Sequence, residues 1–142
     1  FQIINQRKSS SIHLETFPNI PSKWKNEKLF QKWDKLKIIR KVANAAIEIK
    51  RSSKEIGSSL DADIQIYLGE EYLKLVKNVN LSEYFIASKA NANKIINDDK
   101  LFKLDEVDNI KILVTKAKGK KCSRCWKILE NACQRNNCGL KS

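Results

Sequence analysis

"EIGSSLDADIQIYLGEEYLKLV", Glu55 to Val76, is the stretch where this chain changes its hydrophobic period. Before it, Leu29, Trp33, Leu36, Ile39, Ala43, Ala46 and Ile47 recur at spacings of three and four, which is the pattern of one helix face turned to a core. Gly57 interrupts that pattern. From Leu60 to Leu68 apolar and polar residues then alternate with period two, as on a half-buried strand. After Gly69, the residues Tyr72, Leu73, Leu75, Val76 and Val79 suit a short helix, and Glu70 and Glu71 fall in its first turn, where the helix dipole favours them. A long amphipathic helix followed by a small mixed unit predicts an α+β fold.

Toward the N-terminus, Ser22 is the expected cap of the long helix, which ends near Ser52 to Ile56. Residues 1–21 have weak periodicity, and Pro18 and Pro21 make the approach an extended connector. The far face of the helix carries Lys37, Lys41, Asn44, Glu48 and Arg51, a mostly basic stripe that is either a polyanion contact or an ordinary wet surface. Toward the C-terminus, Ser82–Ala90 ("SEYFIASKA") and Asn109–Ala117 ("NIKILVTKA") read as two strands, separated by a polar loop from Asn91 to Asp99. The expected organisation is therefore a helical segment, 1–56, a strand-helix-strand-strand unit, 57–117, and a C-terminal module, 118–142.

The net charge of +12 is unevenly spread. Residues 1–56 hold 13 Lys and Arg against 5 Asp and Glu, residues 57–117 hold 8 against 10, and residues 118–142 hold 7 against 1. Two basic ends around a weakly acidic middle fit a polyanionic partner, of which nucleic acid is the commonest. Apolar runs are short and broken by lysine, and no signal peptide opens the chain, so it is expected to be cytoplasmic with no membrane partner. Because it begins with Phe1 and contains no methionine, it is expected to be a piece of a longer protein.

All four cysteines lie in the last module, Cys122, Cys125, Cys133 and Cys138, spaced C-x2-C-x7-C-x4-C. Four thiolates offered as two short-range pairs are the usual ligand set of a structural zinc ion, whereas two disulfides belong to secreted chains. A redox pair is disfavoured because Cys122 and Cys125 follow a strand and a basic loop instead of opening a helix. One structural zinc is the expected cofactor. With little apolar content from Gly119 onward, the metal would supply the folding free energy, on the order of 10 kcal/mol. Around the cysteines stand Lys120, Lys121, Arg124, Trp126, Lys127 and Arg135. Arginine can pair with phosphate or a base edge, and an indole can stack on an unpaired base or, alternatively, lie over the metal site as a hydrophobic lid.

No catalytic constellation is visible. The one histidine, His13, lies in the irregular opening segment, and the four glycines are too scattered for a phosphate-cradling loop. Asp61 and Asp63 read as a solvated side of a strand, not as an acid/base pair.

The helix end and strand entry, with Glu48, Arg51, Lys54, Ile56, Gly57, Ser58, Ser59, Leu60 and Ala62, followed by Ala117, Gly119, Lys121, Cys122, Arg124, Cys125 and Trp126, resembles the C-terminal part of bacterial-type isoleucyl-tRNA synthetases. The "SIHLETFP" segment at Ser11–Pro18 is similar to the loop that enters the same helix in that family. The resemblance implies the end of a helical anticodon-binding domain in 1–56, a junction domain in 57–117 and a four-cysteine zinc module in 118–142. It also implies isoleucine tRNA as partner, contacted at its anticodon stem-loop by Arg124 and Trp126, and the rest of the synthetase in the parent chain. The parent would be a class I ligase using ATP in a catalytic domain whose motifs this chain lacks. One departure stands out: the family usually closes the metal site with a second Cys-x-x-Cys, whereas Cys133 and Cys138 enclose "QRNN" here. Two other functions compete: the zinc-finger tail of a DNA-repair glycosylase, which the seven-residue spacer disfavours, and a protein-interaction module built on the middle unit.

Overall fold

Asn26 starts the long helix α1 (Glu27–Ser52): its side chain accepts a hydrogen bond from the Leu29 amide at 3.0 Å, satisfying one donor that the first turn leaves unpaired. In this computed structural model, which describes residues 11–14, 17, 19–131 and 133, the expected cap Ser22 instead opens a single 3-10 turn, Ser22–Trp24. Lys25 leaves that turn with ψ 117°, so the helical path is broken between the two candidate caps and Asn26 takes the role.

Leu36, Ile39, Val42, Ala43, Ala46 and Ile47 of α1 are buried, in keeping with the period read from sequence. Leu29 and Trp33 depart from it, at 48% and 44% exposed, because the sheet covers the helix only from Leu36 onward. Trp33 keeps one aromatic neighbour, Tyr84, at 5.9 Å between ring centroids. Tyr84 also meets Phe85 edge-on and lies under the Arg40 guanidinium; its partial burial pushes the phenol above the ordinary tyrosine value, against the pull of Arg40.

Past α1, the Asp61 carboxylate accepts hydrogen bonds from the amides of Gly57 and Ser58 at 3.0 and 2.9 Å, folding the "GSSLD" turn that delivers the chain into β1 (Ala62–Leu68). Asp61 is thus a turn residue, not a member of a solvated strand face. Next come α2 (Glu70–Val76), α3 (Leu81–Tyr84), β2 (Lys89–Lys94) and β3 (Ile110–Lys116). The sheet order is β2-β1-β3, with β2 parallel and β3 antiparallel to the central strand.

The middle unit is therefore strand-helix-helix-strand-strand, which corrects the expected strand over Ser82–Ala90 and the expected loop over Asn91–Asp99. Asn80 caps α3 by accepting from the Glu83 amide, so "LSEY" coils, and the strand begins only at Lys89. Asparagine and alanine are weak strand formers, but pairing with β1 overrides propensity. Ala90 and Ala92 fall opposite Ile64 and Ile66 and pack on the core, and the asparagines point the other way.

The register puts Ile64, Ile66 and Leu68 beside Val114, Ile112 and Ile110, all at most 3% exposed, on the face that meets α1. Burying each such side chain is worth about 1.5–3 kcal/mol, so this six-residue block is the main store of stability. Asp63, Gln65 and Tyr67 occupy the other face, which none of the three helices covers. A two-stranded hairpin, β4 (Lys120–Lys121) and β5 (Ile128–Leu129), completes the described chain.

Candidate functional site

Gly119 opens the hairpin at φ 125°, a conformation that L side chains rarely adopt, and a Cβ placed there would lie 2.1 Å from the Leu129 carbonyl oxygen. The sequence needs glycine at this point because β4 and β5 close tightly. At the tip, the Trp126 amide donates to the Cys122 carbonyl at 3.0 Å and the Cys122 amide to the Lys127 carbonyl at 2.9 Å. These two bonds curl "CSRCWK" into a turn that sends both thiols to the same side.

Cys133 then returns to that side. The sulfurs of Cys122, Cys125 and Cys133 all lie within 4.8 Å of one another, with Cys125 and Cys133 3.9 Å apart. Zinc–thiolate bonds of about 2.3 Å in a tetrahedron place the sulfurs about 3.8 Å apart, so the observed spacing suits that ion. Cys122 is fully buried and the other two are half-buried. The three thiols fit a metal as ligands; the expected fourth, Cys138, and the expected RNA contact Arg135 lie outside the described residues.

The same turn fixes Trp126 at φ 61°, in the left-handed region, and leaves its indole 60% exposed. More than half of the residue's surface is open to solvent. Lys120, Lys121 and Arg124 are exposed around it. Lys127 is half-buried instead, donating to the Ser82 hydroxyl at 3.3 Å and so bracing the hairpin against α3.

The helix stripe has a different electrostatic character. Lys37 pairs with Asp34 at 3.0 Å, Lys41 with Glu106 at 2.5 Å and Arg51 with Glu48 at 2.7 Å. Exposed pairs of this kind are worth about 0–1 kcal/mol, so they could exchange partners, but they neutralise the stripe. By contrast, Lys89, Lys116, Lys118, Lys120 and Lys121 form no ion pair among the described residues. The hairpin and the adjoining end of the sheet therefore carry lysines without an ion-pair partner among the described residues, as do Lys23, Lys25, Lys28 and Lys32 at the start of α1 and before it.

Ser88 joins the hairpin to the middle unit. Its hydroxyl donates to the Leu60 carbonyl and accepts from the Ile128 amide, across 28 and 40 residues of sequence. A cavity of about 410 Å³ lies beside this clip, lined in part by Asp63, Lys89, Lys118, Lys127 and Glu130. Ser88, Lys89 and Lys118 were not singled out from sequence. Lys118 sits in the same lysine run as Lys120 and could have been; Ser88 and Lys89 fell inside the misread strand.

No helix among the described residues is long and apolar enough to cross a membrane. No family model matches the chain. It is 42% identical over 137 residues, 96% of its length, to an isoleucine–tRNA ligase of Pelagibacter ubique. It is 33% identical over 87% of its length to one of Bartonella henselae, and 34% identical over 85% to one of Rhodopseudomonas palustris. The chain spans only 12–14% of the length of these relatives.

Proposed function

The chain is homologous to the C-terminal region of the isoleucine–tRNA ligases, and from that premise we propose that it is the segment with which such a ligase touches the anticodon stem-loop of isoleucine tRNA. The parent enzyme would attach isoleucine to that tRNA with ATP, in the cytoplasm. This segment contributes RNA contacts and no catalytic group.

The observation that carries the reading is the hairpin tip: three thiols converge at one short turn, and that turn presents an exposed Trp126 beside Lys120 and Lys121, which form no ion pair among the described residues. Cys122, Cys125 and Cys133, with Cys138, would hold zinc. When bound, zinc supplies rigidity; with four sulfur ligands it has no open position for substrate. Trp126 stacks on an unpaired base of the loop, Arg124 pairs with a base edge or phosphate, and Lys120 and Lys121 fix the backbone. Lys127 supports the hairpin more than it contacts RNA, because its ammonium already donates inward to Ser82. Lys37, Lys41 and Arg51 serve as a secondary, exchangeable basic surface.

The glycosylase-tail alternative gains nothing from the relatives named above. Equilibrium binding of the zinc-loaded chain to an isoleucine anticodon stem-loop, and to the same stem with a scrambled loop, tests the reading. Tighter binding of the cognate loop is expected. Equal binding would reduce the hairpin to a non-specific phosphate contact.

A further inference from the structure

Among the described residues no helix covers one face of the sheet, and its composition is unusual for an open surface. The register aligns three rows across β2, β1 and β3: Lys89, Asp63 and Thr115; Asn91, Gln65 and Leu113; Asn93, Tyr67 and Lys111. All three helices pack on the opposite face. The Gln65 carboxamide donates to Asp63 at 2.9 Å and accepts from Asn93 at 3.2 Å, so the amide planes are held in a fixed ladder. Among the described residues the Asn91 amide makes no side-chain hydrogen bond, and the Tyr67 ring neither packs against another ring nor lies under a cation, although Lys111 stands beside it in the ladder.

Resting on the tRNA-contact reading above, we propose that this open face, Lys89, Asn91, Asn93, Gln65 and Tyr67, is a second binding surface for single-stranded RNA, taking the loop nucleotides that lie beyond those touched by the hairpin. The occupant follows from three properties. Preformed carboxamides offer donors and acceptors to the Watson–Crick edge of an unpaired base, and a free tyrosine ring offers a stacking platform. The rows of this face hold two lysines, Lys89 and Lys111, against one carboxylate, Asp63, and neither lysine forms an ion pair among the described residues, so the face is net positive toward a phosphate backbone. The face is also continuous with the hairpin: Asp63 and Lys89 line the same cavity as Cys125, Lys127 and Cys133. Cys125 and Lys127, the two neighbours of Trp126 in the chain, stand on that cavity's wall opposite the β1 and β2 residues. An acidic peptide would satisfy the lysines but would leave the amide ladder and the tyrosine ring unused.

The test is binding of the zinc-loaded 142-residue chain to the isoleucine anticodon stem-loop, with Tyr67→Ala, Asn91→Asp and Trp126→Ala compared. Asn91 is exposed on an edge strand, so Asn91→Asp keeps the fold even where Tyr67→Ala weakens it. Loss of a stacked base should lower affinity about 5- to 150-fold for Tyr67→Ala, and Asn91→Asp should lower it several-fold through repulsion of phosphate. Photocrosslinking of a thiouridine-substituted loop should label β1 or β2 peptides. If Trp126→Ala weakens binding while both sheet variants bind like the unaltered chain and no crosslink falls on β1 or β2, the sheet proposal is overturned and the hairpin reading stands. If the sheet variants weaken binding and Trp126→Ala does not, the reverse holds. No binding of the stem-loop at all overturns both.

Discussion

Ser88→Ala separates the docking of the hairpin from the stability of the core. The Ser88 side chain is almost fully covered, at 8% exposed for the residue, and it links two backbone groups that have no connection along the chain. Removing one oxygen leaves little void, so the cost comes from the Leu60 carbonyl and the Ile128 amide left without this partner. A buried polar group left unsatisfied costs about 1–3 kcal/mol. Leu60 and Ile128 are half-buried, and water reaches them in part, which places the two together at about 2–3 kcal/mol. At about 1.4 kcal/mol per tenfold change, the hairpin should detach from the sheet about 30- to 150-fold more often. Amide hydrogen exchange reads this directly. Ile128 should lose protection by that factor while Ile64 and Ile66, in the middle of β1, keep theirs. Unchanged protection at Ile128, or an equal loss across β1, would refute the assignment of Ser88 as the clip.

Further outcomes follow from the same geometry. Chelating the metal should unfold the hairpin tip and change Trp126 fluorescence while far-UV circular dichroism retains the helix signal of α1, since the core lies elsewhere; an unaltered near-UV spectrum would count against a metal-held turn. Gly119→Ala should abolish hairpin closure, because the added carbon would overlap the Leu129 carbonyl; a variant with native chemical shifts at Cys122 and Leu129 would contradict this. Ile66→Ala should destabilise the middle unit by about 2–5 kcal/mol in urea denaturation without altering zinc content, and a cost below about 1 kcal/mol would mean the core is not where it has been placed. Replacing Lys120 and Lys121 with alanine should lower the salt dependence of binding by about 0.7 in log–log slope per lost phosphate contact, for cognate and scrambled loops alike; a loss confined to one loop would assign these lysines to base readout.

Much of this arrangement was legible from residues alone, because the strongest signals are local. The change of period at Gly57 located β1, α2 and the end of α1, and the cysteine spacing located the cluster of Cys122, Cys125 and Cys133. What escaped reading depends on distant partners. β2 is built from lysine, alanine and asparagine, and exists as a strand because β1 offers it a ladder. The exposure of Leu29 and Trp33 follows from where the sheet stops, which no periodicity encodes. The stripe of Lys37, Lys41 and Arg51 looked basic along the helix, but Glu106, brought in from 65 residues away, takes up Lys41, and Asp34 and Glu48 neutralise the other two. Ser88 gave no signal of its own, since a serine takes this role only through two backbone groups that the fold brings to it.

The most direct test of a metal-organised RNA contact is a zinc titration. Metal is added back to the stripped chain while binding of the isoleucine anticodon stem-loop and of its scrambled-loop control is followed. Preference for the cognate loop should appear in step with zinc and saturate at one ion per chain. A metal-free chain that already shows the full preference would contradict the role given to the cysteine cluster and to the turn it holds.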